Sequence, residues 1–477
     1  MGETTDDMMG QDLLALLPEG ALAVVAVLGL LLGSFLPRHR QWVVRLLAAV
    51  GAITTVAATI PAWNDESTLF DGSYAVDTAT DTVRVVVACG ILLLLVLSLP
   101  ETRRNARESE YIVLLVSAGL GAILLAGAND LLVLIVAYLL ASIPLYALVA
   151  FAKDAPGTEA ALKYYLFGAL SGAVMLFGAA LLFGAGRATA YPMLEDAAAA
   201  APRTALALGA VAVLTGLLFK AGAVPLHFWV PDVVQGTRPD VAALVTTIPK
   251  LGAVVAIYRV SPLVQPADID WRLLLAVIAA LTMTLGNFAA FFQTDVRRLL
   301  GYSTISQVGY LLLGVAAVSH SSLALPGVLL YLTAYALTNL GAFAVVCALP
   351  ALRALTDYAG LFRRRPALVV ALIICLLGLV GTPPTGIFVA KLTVFTAAID
   401  ARLGWLVVLA ILNTVASLFY YLRWILPTLR GVPLDLPREP FSVLPRALAY
   451  LAAAGVLLTG LLAGPILEAV EGTVPIP

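Results

Sequence analysis

Four of the five lysines in this 477-residue chain, Lys163, Lys220, Lys250 and Lys391, fall inside long apolar runs. A charge at the centre of a bilayer costs at least about 2.5–3.5 kcal/mol on insertion scales, so a lysine kept there is a functional candidate. Lysine can gain and lose a proton when buried, whereas arginine stays charged, and this suits lysine to moving protons. Lys163 stands near the start of its run, where a long side chain can equally snorkel to the interface. Two of the deeper lysines accompany helix breakers. In Leu217-Leu-Phe-Lys220-Ala-Gly-Ala-Val-Pro225-Leu-His227, Pro225 removes an amide donor near Lys220. In Gly381-Thr-Pro383-Pro384-Thr-Gly386-Ile-Phe-Val-Ala-Lys391, two prolines sit in mid-run. Backbone broken at membrane depth must be buried in protein or line a wet cavity. His227 can relay protons near neutral pH, or simply mark the end of its helix. Tyr302, Ser303, Thr304, Ser306 and Gln307 form a polar cluster that either lines water or binds neighbouring helices.

The elements that must position these groups follow from composition. Hydrophobic residues make up 61% of the chain and charged residues 12%, with a mean hydropathy of +0.99. That excludes a soluble enzyme. Net charge is −1 and no long basic run points to nucleic acid. Cys89, Cys347 and Cys375 lie separately in apolar runs and read as packing residues, with no disulfide framework or metal site. Blocks of bilayer-spanning length predict an all-α polytopic membrane protein of about 14 transmembrane helices. The spans cover approximately 19–37, 42–62, 83–99, 110–128, 130–151, 161–186, 204–229, 240–259, 271–293, 297–318, 322–349, 367–398, 403–428 and 443–466. With the N-terminus outside, 18 Lys and Arg fall in inner loops, Arg104 and Arg438 among them, and six in outer loops: Arg84, Arg187, Arg203, Arg259, Arg272 and Arg402. Both termini are therefore expected outside, with the N-terminal block retained as a first span. Spans 4–8 and 9–13 make two sets of five that enter the membrane from opposite sides, as inverted repeats do, and the broken, lysine-bearing helix is the fourth of each. The expected divisions are 1–109, an N-terminal three-helix segment; 110–260 and 270–428, the two repeats; and 443–477, a C-terminal helix.

Several stretches carry a family resemblance. Glu159-Ala-Ala-Leu-Lys163-Tyr-Tyr, Phe219-Lys220-Ala-Gly-Ala-Val-Pro225-Leu-His227-Phe-Trp229-Val-Pro231-Asp232, Pro249-Lys250, Arg297-Arg298, Asn339-Leu-Gly341-Ala-Phe343 and Pro383-Pro384 resemble the antiporter-like membrane subunits of respiratory complex I. The pattern is most similar to the subunit N family of NADH:quinone oxidoreductase, over about residues 108–425. The resemblance implies a proton-translocating translocase subunit of the bacterial cytoplasmic membrane, with no cofactor and no redox site of its own. Flavin, iron–sulfur clusters and quinone are then expected in partner subunits, and other membrane-arm subunits and the lipid bilayer are the expected partners. It makes Lys220 the central lysine of the first repeat, Lys250 the connecting lysine, Lys391 the lysine of the second broken helix, and places His227 between Lys220 and Lys250.

One departure bears on mechanism. The family has a glutamate five residues before the proline of span five, in a Gly-Leu-Glu-Leu-Leu-Ser-Leu-Pro type of stretch, and it pairs with the lysine of span seven. Here Leu139 stands at that place before Pro144. Lys220 is left neutral, paired elsewhere or held by water. A milder departure, Arg238 and Asp240 where the family usually has small residues and a proline, suggests either a local ion pair or an altered partner contact. Alternatives are a subunit of a multi-subunit cation/proton antiporter or membrane-bound hydrogenase, a non-pumping scaffold of the membrane arm, which Leu139 favours, and a stand-alone carrier.

Overall fold

The computed structural model describes residues 12–63, 65–103, 105–198, 201–261, 269–430 and 443–472. Its helices begin with α1 (Leu17–Phe35), α2 (Trp42–Thr59), α3 (Thr78–Leu97) and α4 (Glu108–Gly127), with a small antiparallel hairpin of Ser67–Leu69 and Tyr74–Val76 before α3. There follow α5 (Leu131–Leu140), α6 (Ile143–Val149), α7 (Ala155–Gly186), α8 (Tyr191–Ala198), α9 (Arg203–Ala221), α10 (Trp229–Gly236) and α11 (Pro239–Val260). The second half holds α12 (Trp271–Phe291), α13 (Val296–Val315), α14 (Ala324–Ala348), α15 (Pro366–Val380), α16 (Gly386–Asp400), α17 (Gly404–Arg430) and α18 (Val443–Leu461).

Aspartates set many of the starts. Asp77, Asp130, Asp154, Asp270 and Asp295 each accept backbone amides at the first turns of α3, α5, α7, α12 and α13. A side-chain oxygen at this position satisfies amides that have no partner within the helix. Among the described residues, twelve helical spans are long and apolar enough to cross a membrane. α13, whose polar cluster lowers its hydropathy, and the broken pair α15–α16 complete the expected fourteen. The chain is a multi-pass membrane protein.

α11 is the axle of the bundle: every residue of it from Asp240 to Val260 is buried. It packs on α3, α4, α9, α13 and α14. Gly252 lies so close to the carbonyl of Ala122 on α4 that no side chain fits between them.

The basic residues form two sets, one at each end of the helices. At one end Arg45 pairs with Glu108 at 3.0 Å and Arg298 with Asp232 at 2.7 Å. At the other, Arg84 pairs with Glu19 and Arg259 with Asp77, both at 2.7 Å. The expectation that Arg84 and Arg259 lie in outer loops is therefore corrected. Both lie inside helices and are fully buried, because carboxylates of the N-terminal segment neutralise them. Arg104, Arg438 and both chain ends, on which part of the orientation argument rests, fall outside the described residues.

Candidate functional site

Span seven breaks where expected. α9 ends at Ala221, Gly222 turns the chain at φ 79°, and α10 resumes at Trp229. Span twelve breaks the same way: α15 ends at Val380, Gly381 turns at φ 84°, and α16 resumes at Gly386. Glycine suits both positions because a left-handed residue ends the helix without a Cβ clash. In each break a proline follows the glycine by three residues, Pro225 and Pro384, with Pro383 beside the latter.

The spacing has a direct chemical result. In an unbroken helix the carbonyl of residue i accepts from the amide of i+4. Ala221 and Val380 stand four residues before Pro225 and Pro384, which have no N–H, so their carbonyls are left open. Each is taken by a lysine: Lys250 Nζ donates to Ala221 O at 2.5 Å, and Lys391 Nζ donates to Val380 O at 2.9 Å. Pro383 frees Leu379 O in turn, and Gln307 Nε2 donates to it at 2.7 Å.

Lys220 finds a third break. Span five is divided between α5 and α6, and the amide of Leu145 bonds Ser142 O instead of Ala141 O. Lys220 Nζ donates to that open Ala141 carbonyl at 3.1 Å and lies 5.3 Å from the Tyr138 ring centre. Each deep ammonium thus rests on the carbonyl end of a half-helix, where the helix dipole favours a cation. The described partner of Lys220 is a backbone carbonyl and not a carboxylate. Leu139 points outward and is 40% exposed.

Clusters of hydrogen-bonded polar side chains lie between the two breaks. Thr246 is one turn before Lys250 on α11. Asn339 Nδ2 donates to Thr246 Oγ1 at 2.9 Å and to Thr247 Oγ1 at 2.8 Å, and Tyr335 OH donates to Thr246 O at 2.7 Å while accepting from Thr304 Oγ1 at 3.1 Å. One turn along α13, Gln307 accepts from Tyr331 OH at 2.6 Å while holding Leu379 O. Lys391 closes the line, donating to Thr414 Oγ1 at 3.1 Å with its Nζ 3.8 Å from the Tyr310 ring centre. Ser306 Oγ and Asn339 Oδ1, both beside this line, are buried without a protein partner.

The remaining candidates are placed differently. Lys163 is half-exposed, pairing with Glu159 at 2.8 Å and with Asp232 at 2.9 Å, and Asp232 also binds Arg298. It belongs to a surface network that ties α7, α10 and α13, and no hydrogen bond joins it to the deep lysines. His227 lies in the link between α9 and α10, half-buried, with Nδ1 unpartnered. Neither Lys220 nor Lys250 bonds it. Arg238 and Asp240 do pair, at 2.7 Å, with Tyr111 OH donating to the same carboxylate at 2.9 Å.

Of the polar line, Thr246, Tyr331, Tyr335 and Thr414 were not singled out from the sequence. Isolated hydroxyls in apolar runs are common, and only the packing of α11, α13 and α14 brings these together. A signal was present in the repeated Gly-x-x-Pro of Gly222–Pro225 and Gly381–Pro384, which marks the freed carbonyls.

A membrane bundle with two proline-broken helices, each broken end capped by a buried lysine, defines a class of antiporter-like proteins. The chain belongs to the family of NADH:quinone oxidoreductase/Mrp antiporter membrane subunits, whose model matches residues 128–417. It is 52% identical over 464 residues to NADH-quinone oxidoreductase subunit N 1 of Streptomyces griseus, covering 97% of this chain and 98% of that one. It is 47% identical over 448 residues to NADH-quinone oxidoreductase subunit N of Mycobacterium sp. strain JLS, covering 93% and 95%. A chain of respiratory complex I from Thermus thermophilus with bound aureothin superposes with a TM-score of 0.81 at 33% identity, over 96% of this chain and 100% of that one.

Proposed function

We propose that this chain is the N-type membrane-arm subunit of a complex I-like NADH:quinone oxidoreductase and moves protons through Lys220, Lys250 and Lys391. The observation that carries this reading is the row of buried polar groups between Lys250 and Lys391, hydrogen-bonded in separate clusters, with each of the two lysines resting on a carbonyl freed by a helix break. Protons enter and leave lysines, and hydroxyls, amides and ordered water pass them between. Buried groups such as Ser306 Oγ and Asn339 Oδ1 are of the kind that ordered water satisfies. The redox chemistry belongs to partners: flavin, iron–sulfur clusters and quinone sit in other subunits, and quinone reduction there drives this chain. It resides in the bacterial cytoplasmic membrane with both termini outside, among other membrane-arm subunits. The two five-helix sets, 110–260 and 270–428, act as inverted repeats around the line, with Lys163 and His227 on the inner approach to the first break.

The test is NADH-driven acidification of proteoliposomes holding the purified complex, native or with Lys391→Met. Fewer protons moved per quinone reduced is the expected result. Equal values in the two preparations would leave the scaffold reading in its place.

The position of Leu139 gives a second expectation. A glutamate there faces outward rather than toward Ala141 O, so Leu139→Glu does not raise pumping. In the isolated chain, where that face meets lipid, it lowers thermal stability, a carboxylate at membrane depth costing about 2.5–3.5 kcal/mol. A gain in protons per quinone would contradict the carbonyl as the sufficient partner of Lys220.

A further inference from the structure

Away from the lysine line, a cavity of about 500 Å³ opens where the α1–α2 link meets the segment before α4, lined by Arg38, His39, Trp42, Arg103 and Glu108. Arg38, His39 and Arg103 are exposed and have no carboxylate partner among the described residues. Glu108 is already held by Arg45 at 3.0 Å. The cavity therefore presents two guanidinium groups, Arg38 and Arg103, whose counter-charge the described residues do not supply. Trp42, 55% exposed, forms one wall, and Leu46, Val50 and Ile53 continue from it down one face of α2 at helical spacing, all exposed. Phe35, at the end of α1, is also exposed.

We propose that this cavity binds the phosphodiester headgroup of an anionic membrane phospholipid, with an acyl chain lying on the Trp42–Ile53 face. Basic clusters at the end of a membrane helix attract anionic lipids, and an aromatic ring at the boundary suits headgroup level. The apolar strip that runs from the cavity into the membrane has no use for a free phosphate, and it selects the lipid. The site does not depend on the pumping reading, and its test does not read pumping.

The full-length chain in phosphatidylcholine nanodiscs is doped with dibrominated phosphatidylglycerol or, at equal mole fraction, dibrominated phosphatidylcholine. The Trp42 signal is isolated by difference against Trp42→Phe. Quenching by the brominated phosphatidylglycerol is expected to exceed that by brominated phosphatidylcholine at least about fivefold, the effect of a single basic contact at a membrane surface. Arg38→Gln combined with Arg103→Gln abolishes the preference, while Arg40→Gln, on the same turn but outside the cavity, keeps it. Equal quenching by the two lipids, a preference that survives the double substitution, or an equal loss in Arg40→Gln overturns the proposal.

Discussion

Lys250→Met removes most of the proton translocation that passes through this chain, and Lys250→Arg does no better. The side chain is fully buried on the most enclosed helix, and its ammonium meets Ala221 O, the carbonyl that Pro225 leaves open. Methionine keeps the length and loses the group proposed to carry the proton. The hydroxyls and amides beyond it can pass a proton but not hold its charge. Arginine keeps the charge and does not release it. Positioned acid–base groups speed proton transfer about 10²- to 10⁴-fold, so the expected loss along this route is at least about 100-fold. It is read as a drop in protons moved per quinone reduced, with quinone reduction itself continuing when the membrane is made leaky. Native pumping in Lys250→Arg would show that the residue acts as a fixed charge.

Asp77→Ala is expected to cost the protein about 3–5 kcal/mol, the usual penalty for stranding one partner of a buried ion pair. Asp77 Oδ1 caps α3 by accepting from Thr80 N at 2.9 Å and also binds Arg259 Nη2 at 2.7 Å. Arg259 adds Ala126 O at 2.5 Å and Thr80 Oγ1 at 2.9 Å, and among the described residues no other carboxylate pairs with it. Asp77→Asn keeps the cap and loses the charge, so it falls between the native protein and Asp77→Ala. Pairing Asp77→Ala with Arg259→Met recovers much of the loss. Thermal unfolding of the purified chain in detergent measures all four. A double variant no more stable than Asp77→Ala would mean that the cap, and not the stranded charge, sets the cost.

Much of this was legible in the sequence, for physical reasons. Bilayer length fixes span length, so the helices follow from apolar blocks. Pro225, Pro383 and Pro384 cannot donate, so the two breaks follow from residue type. Lys220, Lys250 and Lys391 were conspicuous because charge is rare at that depth. Other features depend on facing. Leu139 marks a missing carboxylate, but only the packing shows it turned outward and Ala141 O in the role of partner. Lys163 lies in an apolar run like the others, yet Asp232, 69 residues on, draws it into a surface network. Arg84 and Arg259 read as loop charges because their partners, Glu19 and Asp77, are far away in sequence.

The same pairings have a mechanical meaning. α11 carries Lys250 midway, with Asp240 held by Tyr111 of α4 at one end and Arg259 held by Asp77 at the other. A rod fastened at both ends cannot act as a piston: a one-turn slide of about 5.4 Å would tear both fastenings at once. A stroke in this subunit is therefore expected to move other parts past this shaft and leave the shaft in place.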